Sequence, residues 1–500
     1  MFAYSVPFIE ALQMYKPWFG VVAPKEASIK LMRRFRSAAV IFMFAVAIMS
    51  TSPAPAETIE SAMAYAYQNN PQLNAQRAAV RQTDEGVAQA LSGYRPTIGA
   101  TVNLGKEYTD TTEEFPPIPG TPLQQSTAVR IKGPTNPRSV GLNATQSLFN
   151  AKTPNQTRAA ESQVLAARET LRVLEQSVLL SAATAYMDVL RDRANLEVQR
   201  SSVQVFQQML KDTRMRRIVG QVTNTDVAQA EAQLAGAEAT LHAAESTLMT
   251  TNANYRRVIG IAPHNLSPAS PVDNLSPRTL AASIADAVVE NPSVTAAIYG
   301  VDVAQLQVNI AEAGLTPTLT LQGNILKQYD TNITTPKLFD SSVMLSLSIP
   351  LYQGGREYST IRQNKEAVGQ QRLNLDQVRD QVRANVTQFW GQVDATKAEI
   401  EATERQVKAS ESALNGVRDE ARFGERTTYD VLNAQQTLVN SRLNLLTAQH
   451  DRVLASYNLL SAVGRLSASA LHLPVQIYDP AVHYHQVRDS WIGVRTPDGR

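Results

Sequence analysis

The chain of 500 residues contains no cysteine. Disulfides, thiolate metal sites and cysteine nucleophiles are excluded with it. Histidine is sparse, with six scattered copies. H-E-x-x-H, G-x-S-x-G and G-x-x-x-x-G-K-[ST] are all missing, which removes the usual footing for a zinc hydrolase, a serine hydrolase or a P-loop enzyme. Neither an enzyme nor a cofactor or metal is expected. An excess of one charge is also lacking. The formal net charge is +2 and the body of the chain has no dense basic run, which argues against nucleic acid as a partner. Proline is absent from two long stretches, Asn155–Ala262 and Leu351–Leu473.

No apolar run reaches the ~20 residues of a membrane-spanning helix. The longest, Ser37 to Met49, follows the basic cluster Met32-Arg33-Arg34-Phe35-Arg36 and precedes Ala54-Pro55-Ala56. That order reads as an export signal at 32–56 cleaved before Glu57, with 1–31 as an upstream extension; an uncleaved N-terminal anchor is the alternative. No cysteine follows for lipidation.

What is present is a duplication. Asn70-Pro71 recurs as Asn291-Pro292, Gly93 as Gly314 and Pro96 as Pro317, with Val80, Val87 and Ala90 matched by Val301, Val308 and Ala311. The expected repeats are 57–278 and 279–466, followed by a tail at 467–500. Each begins with a short helix, about Pro71–Ser92 and Pro292–Ala313. Each continues into alternating strands, Thr97–Thr109 with Ser139–Phe149, and Thr318–Tyr329 with Ser342–Tyr352. A long loop, Asp110–Arg138, joins the first pair and a short one, Asp330–Asp340, the second. The strands have the length that spans a bilayer at a tilt, with aromatics at their ends. Four strands cannot close a barrel alone, so several chains sharing strands would remove the open edges. A soluble sandwich core is the alternative.

A long helix follows each hairpin, turns, and returns. Ala182, Val189, Leu196, Val203 and Leu210 recur every seventh residue, as do Val386, Val393, Ile400, Val407 and Leu414. Past the turns, Val227, Leu234, Leu241 and Leu248 continue the habit, as do Val431, Leu438 and Leu445. Such heptads predict left-handed coiled-coil packing. The turns match each other: Gly220, Thr223 and Asp226 recur as Gly424, Thr427 and Asp430. The Thr-x-x-Asp spacing reads as a capping box, and the glycines let the chain turn.

These segments together resemble the TolC family. The carriers are the two Asn-Pro and Gly-x-x-Pro segments, PLYQGGR at Pro350–Arg356, FGERTTYDVLNAQQTL at Phe423–Leu438 and VGQVTNTDVAQAEAQL at Val219–Leu234. The resemblance spans about Thr58 to Leu466. It implies a mixed α/β membrane protein, a homotrimer whose barrel of twelve strands takes four from each chain and continues into a long α-helical coiled-coil barrel. The chain would sit in the outer membrane of a Gram-negative cell, touching its lipid and projecting into the periplasm. Its partners would be a periplasmic adaptor and an inner-membrane transporter of the RND or ABC type. It would be the exit duct of a tripartite efflux pump or type I secretion system; an exported coiled-coil scaffold or adhesin is the alternative.

The resemblance also assigns roles at the helix turns. The family's gate arginine matches Arg426, where the first copy has Val222, and its partners across the neighbouring turn match Thr225 and Asp226. The acid of the pore constriction matches Asp430. The second acid falls on Asn433 and the latch tyrosine on Ala421, two departures from the family pattern. Capping and gating remain open together at Asp226 and Asp430. In the tail, His483 and His485 suggest a metal pair, against which stands the plainer reading of a packed or solvated tail.

Overall fold

The computed structural model describes residues 57–115, 120, 127–331 and 336–499. The expected signal and upstream extension lie outside them, as does the middle of each hairpin loop. Two copies of one element order make up the chain. The first runs α1 (Ile59–Asn69), α2 (Pro71–Leu91), β1 (Thr97–Leu104), β2 (Glu107–Phe115), β3 (Thr127–Thr135), β4 (Arg138–Phe149), α3 (Lys152–Ile218) and α4 (Asn224–Ile259). The second runs α5 (Leu280–Glu290), α6 (Pro292–Glu312), β5 (Thr318–Tyr329), β6 (Lys337–Ser348), α7 (Arg356–Arg422) and α8 (Thr428–Val463). A last helix, α9 (Ala481–Val487), lies in the tail. Copy for copy the helices have equal lengths: 11, 21, 67 and 36 residues.

The helices α1 and α5 were not expected. Each starts at a threonine cap, Thr58 or Thr279, whose hydroxyl accepts a first-turn amide. Each ends at the asparagine before Pro71 or Pro292, where the extended backbone that precedes a proline stops the helix.

That Asn-Pro pair explains why it repeats. Asn70 Oδ1 accepts from the Gln72 and Leu73 amides at 2.9 and 3.4 Å and so caps α2. Its Nδ2 donates to the Val258 carbonyl in the last turn of α4 at 3.2 Å. Asn291 does the same, capping α6 and donating to the Ala462 carbonyl near the end of α8 at 2.9 Å. One side chain thus splices the end of a returning helix to the start of a short one. Gly464, at φ 96°, ends α8 so close to this joint that a Cβ would lie 2.6 Å from the Asn291 Cα. Each spliced column runs beside a continuous helix, α3 or α7, of about 100 Å.

The heptad seams face inward. Ala182 and Val189 are fully buried, Leu196, Val203 and Leu210 nearly so, and Val386, Val393 and Leu414 match them in the second copy. Ile400 and Val407 are half-buried. On α4 the deepest contacts come from a different heptad than expected. Ala230, Ala237 and Ala244 are buried, whereas in the expected heptad Val227 is buried but Leu234, Leu241 and Leu248 are half-buried. Small residues there let α4 approach Val203, Phe206 and Leu210 of α3 closely.

The strands form an antiparallel sheet of four in the order β1-β4-β5-β6. The registers align Ile98, Ala100 and Val102 with Ala144, Leu142 and Val140, then with Gly323, Ile325 and Lys327, and place Leu321 opposite Leu345. This apolar face has no covering layer among the described residues. Ile98 and Val343 are each 77% exposed on it, which removes the sandwich reading. The opposite face carries Thr97, Thr101, Asn103, Asn143, Gln322, Asn324, Ser342 and Ser346. Among the described residues, both β1 and β6 end the sheet with an unpaired edge.

The expected loop at Asp110–Arg138 needs correction. Its two flanks fold as an antiparallel ribbon, β2 against β3, with Glu107 opposite Thr135 and Glu113 opposite Val129. The ribbon prolongs the β1–β4 ladder past Gly105, whose amide bonds the Pro137 carbonyl at 2.9 Å. Threonines and Val129 and Ile131 favour the extended chain, and Pro134 is tolerated because a two-stranded ribbon has only edge strands. The last strand is also displaced. It spans Lys337–Ser348, short of the expected end at Tyr352, because Pro350 cannot continue the ladder.

Candidate functional site at the helix tips

Each long helix ends far from the sheet in the same turn. After α3, Gly220 takes φ 74° and the Gln221 amide bonds the Arg216 carbonyl at 2.9 Å. After α7, Gly424 takes φ 85° and the Glu425 amide bonds the Glu420 carbonyl at 3.0 Å. Positive φ with the bond from five residues on closes the helix C-terminus, and glycine is the residue that does it without strain.

Both capping boxes form. Thr223 Oγ1 accepts the Asp226 amide at 3.3 Å, and Asp226 Oδ2 accepts the Thr223 amide at 2.8 Å and its hydroxyl at 2.7 Å. Thr427 and Asp430 repeat the arrangement at 3.2, 3.0 and 2.8 Å. The Thr223 hydroxyl and amide hold the Asp226 carboxyl below the usual carboxylate range. The Thr427 amide and hydroxyl do so for Asp430, with Arg426 adding a weaker pull. Both acids are therefore charged at neutral pH.

The tips differ in their ion pairs: Arg214 meets Glu231 at 2.6 Å across the first, where the second has Arg418 and the uncharged Gln435, and the second has a pair that the first lacks. Arg426 Nε donates to Glu420 Oε2 at 2.8 Å, and that carboxylate raises the guanidinium pKa further. Val222 and Arg216 hold the matching places in the first copy and form no such pair. Within one protomer the expected bond from Arg426 to Asp226 is not made. Arg426 is held by Glu420, and Asp226 by Thr223. Thr225 is exposed on the first turn of α4, and Asn433 is exposed one turn beyond Asp430 on α8. Ala421 lines a groove of about 400 Å³ between α3 and the end of the α7–α8 hairpin, together with Met209, Arg216, Arg418, Arg422 and Val431.

Glu420 was missed in the sequence. Its signal was readable: Asp419-Glu420 puts two acids in the last turns of α7, where the helix dipole disfavours them. An acid so placed marks a cation nearby. The histidines of the tail resolve differently. His483 Nδ1 lies 3.0 Å from Asp84 Oδ2, and both side chains are buried against α2. The tail is packed.

The profile of the outer membrane efflux protein family matches residues 63–261 and 283–465. The two segments correspond to the two copies of the fold. Among curated proteins, the chain is 38% identical to the outer membrane efflux protein BepC of Brucella suis over 91% of its length and 95% of that protein's. It is 27% identical to the outer membrane protein TolC of Vibrio cholerae, over 82% of this chain and 92% of that one. Among solved structures, the Campylobacter jejuni CmeC outer membrane channel superposes with a TM-score of 0.69 at 14% identity, covering 86% of this chain and 89% of that one.

Proposed function

The chain belongs to the outer membrane efflux protein family, and from that premise we propose that three copies form an exit duct gated at the two kinds of helix tip. It is an outer-membrane channel protein with a large periplasmic helical part, not an enzyme. The observation that carries the assembly is the sheet. It has an apolar face, a polar face and two unpaired edges. Three such sheets joined β6 to β1 leave no edge, turn the apolar faces to lipid and line the bore with Thr, Asn, Gln and Ser.

In this reading the helices continue the bore into the periplasm. Twelve columns, four from each chain, end at six tips. Arg426 reaches towards Thr225 and Asp226 of the adjoining first-copy tip when the pore is closed, in competition with Glu420. Asp430 faces the axis, so three carboxylates attract cations there. Asn433 in place of a second acid leaves one such ring. A periplasmic adaptor would seat on the grooves between tips, and an inner-membrane transporter would supply the energy, since the sequence carries no G-x-x-x-x-G-K-[ST] motif. The test is reconstitution. A trimeric mass in mild detergent and discrete conductance steps in a planar bilayer are expected. A monomer without conductance would leave an exported coiled-coil scaffold as the reading.

A further inference from the structure

From α9 onward the tail climbs the groove between α2 and α3 towards the sheet. It is fastened on the way. His483 bonds the buried Asp84, the Arg168 guanidinium lies 5.2 Å over the Tyr484 ring, and Arg488 sits 3.8 Å from Glu161. Past this point the chain returns, and Asp498 meets Arg81 on α2 at 3.7 Å. Between the fastenings, the tail touches the foot of the sheet. Arg95, two residues before β1, donates from Nη1 to the Ser490 carbonyl at 2.5 Å and lies 4.8 Å over the Trp491 ring.

The segment held there is apolar and uncovered. Trp491 is 68% exposed, Ile492 95% and Val494 100%. Nothing in the tail's own packing needs them. They continue an apolar girdle already present at this end of the sheet, where Tyr94, Phe149 and Tyr352 are exposed. We infer that the loop around Trp491–Val494 is a membrane contact, dipping into the periplasmic leaflet of phospholipid beside β1. Tryptophan favours that boundary because its ring is apolar and its indole N–H is wet. Arg495 next to Val494, and Arg95 beneath the ring, bring positive charge to the level of the lipid phosphates. The tail then acts as a collar stay, tying the outer flank of the helical columns to the bilayer.

The inference rests on the outer-membrane orientation of the sheet, and the test separates the two. The chain has three tryptophans. Trp18→Phe and Trp390→Phe leave Trp491 as the sole emitter in trimers placed in phospholipid nanodiscs. Its emission should shift to shorter wavelength and be quenched by lipids brominated near the headgroup, and resist aqueous iodide. A second variant, Trp491→Phe with Val102→Trp in the same background, reports on the sheet. Quenching by brominated lipid at Val102→Trp but not at Trp491, with iodide reaching Trp491, overturns the tail contact and leaves the barrel standing. Trp491 shielded from both quenchers also overturns it and assigns the patch to a neighbouring protomer. No lipid quenching at Val102→Trp overturns the orientation itself.

Discussion

The two helix tips share a fold but not a chemistry. Both turn on a glycine at positive φ, both are closed by a Thr-Asp capping box, and both start a returning helix of 36 residues. Only the second adds Arg426 and Glu420. What is common to both tips is what any helical turn requires. What occurs in one alone is free to serve the pore. The duplication thus contains its own control, and a role proposed for Arg426 is tested against the tip that lacks it.

The largest effect is expected where the tips differ. Arg426→Ser should raise single-channel conductance several-fold, because a hydrogen bond to a charged group contributes about 1.5–3 kcal/mol and the trimer has three. Val222→Ser, at the matching place, should leave conductance unchanged. Equal conductance in all three proteins would reduce Arg426 to a solvated turn residue. Glu420→Gln separates its two partners: it releases Arg426 to neighbouring protomers and should lower conductance.

Where the tips agree, equal damage is expected. Gly220→Val and Gly424→Val each force a branched side chain into left-handed backbone, costing about 1–2 kcal/mol. Hydrogen exchange should show matching loss of amide protection over the adjoining turns. Next comes loss of a cap. Thr223→Ala and Thr427→Ala should each cost about 1 kcal/mol, read the same way, and neither should alter conductance as Arg426→Ser does. Acid sharpens the symmetry. Both cap carboxylates titrate below their ordinary value of 3.8 in the folded chain. Their contribution is complete above that value and is lost as pH falls through the lowered folded pKa. Both tips should therefore loosen together in strong acid and behave alike across neutral pH.

The smallest effect is on ion selectivity. Asp430→Ala should weaken cation preference and Asn433→Asp should strengthen it, each shifting the reversal potential in a salt gradient. Asp226→Ala is the control on the other tip. If Asp430→Ala and Asp226→Ala lose the same protection and neither moves the reversal potential, Asp430 is a cap and not part of the pore lining.

Much of this was legible because periodic burial writes itself into a sequence. Val189, Val203, Val386 and Leu414 recur by sevens and are buried. The glycine and Thr-x-x-Asp signals fixed the turns to within a residue or two. Other features are not periodic. The Asn-Pro pair was visible as a repeat, but its splice to Val258 or Ala462 joins residues remote in sequence. Arg426 and Glu420 are six apart across a turn, a spacing no helix brings together. On α4 the leucines drew attention away from Ala230, Ala237 and Ala244, since hydrophobicity marks large side chains more strongly than close approach. The β2–β3 ribbon was hidden by Gly133 and Pro134, which read as loop and here sit in an edge strand.

Considered as a structural member under load, each spliced column is two short struts joined by an asparagine and the side chains packed around it, with Arg465 bridging to Asp286 and Glu290 at the second joint, whereas α3 and α7 are single beams. One side-chain amide bond contributes about 0.5–1.5 kcal/mol, far less than a continuous backbone. Twist applied at the tips should therefore reach the sheet mainly along α3 and α7, with α4 and α8 yielding at Asn70 and Asn291. An assembly of such columns would act as a torsion tube with joints at one level, turning more easily below that level than at the end set in the bilayer. Under tension on a single trimer, those joints part first, and the event should appear as a short early step before any helix unravels.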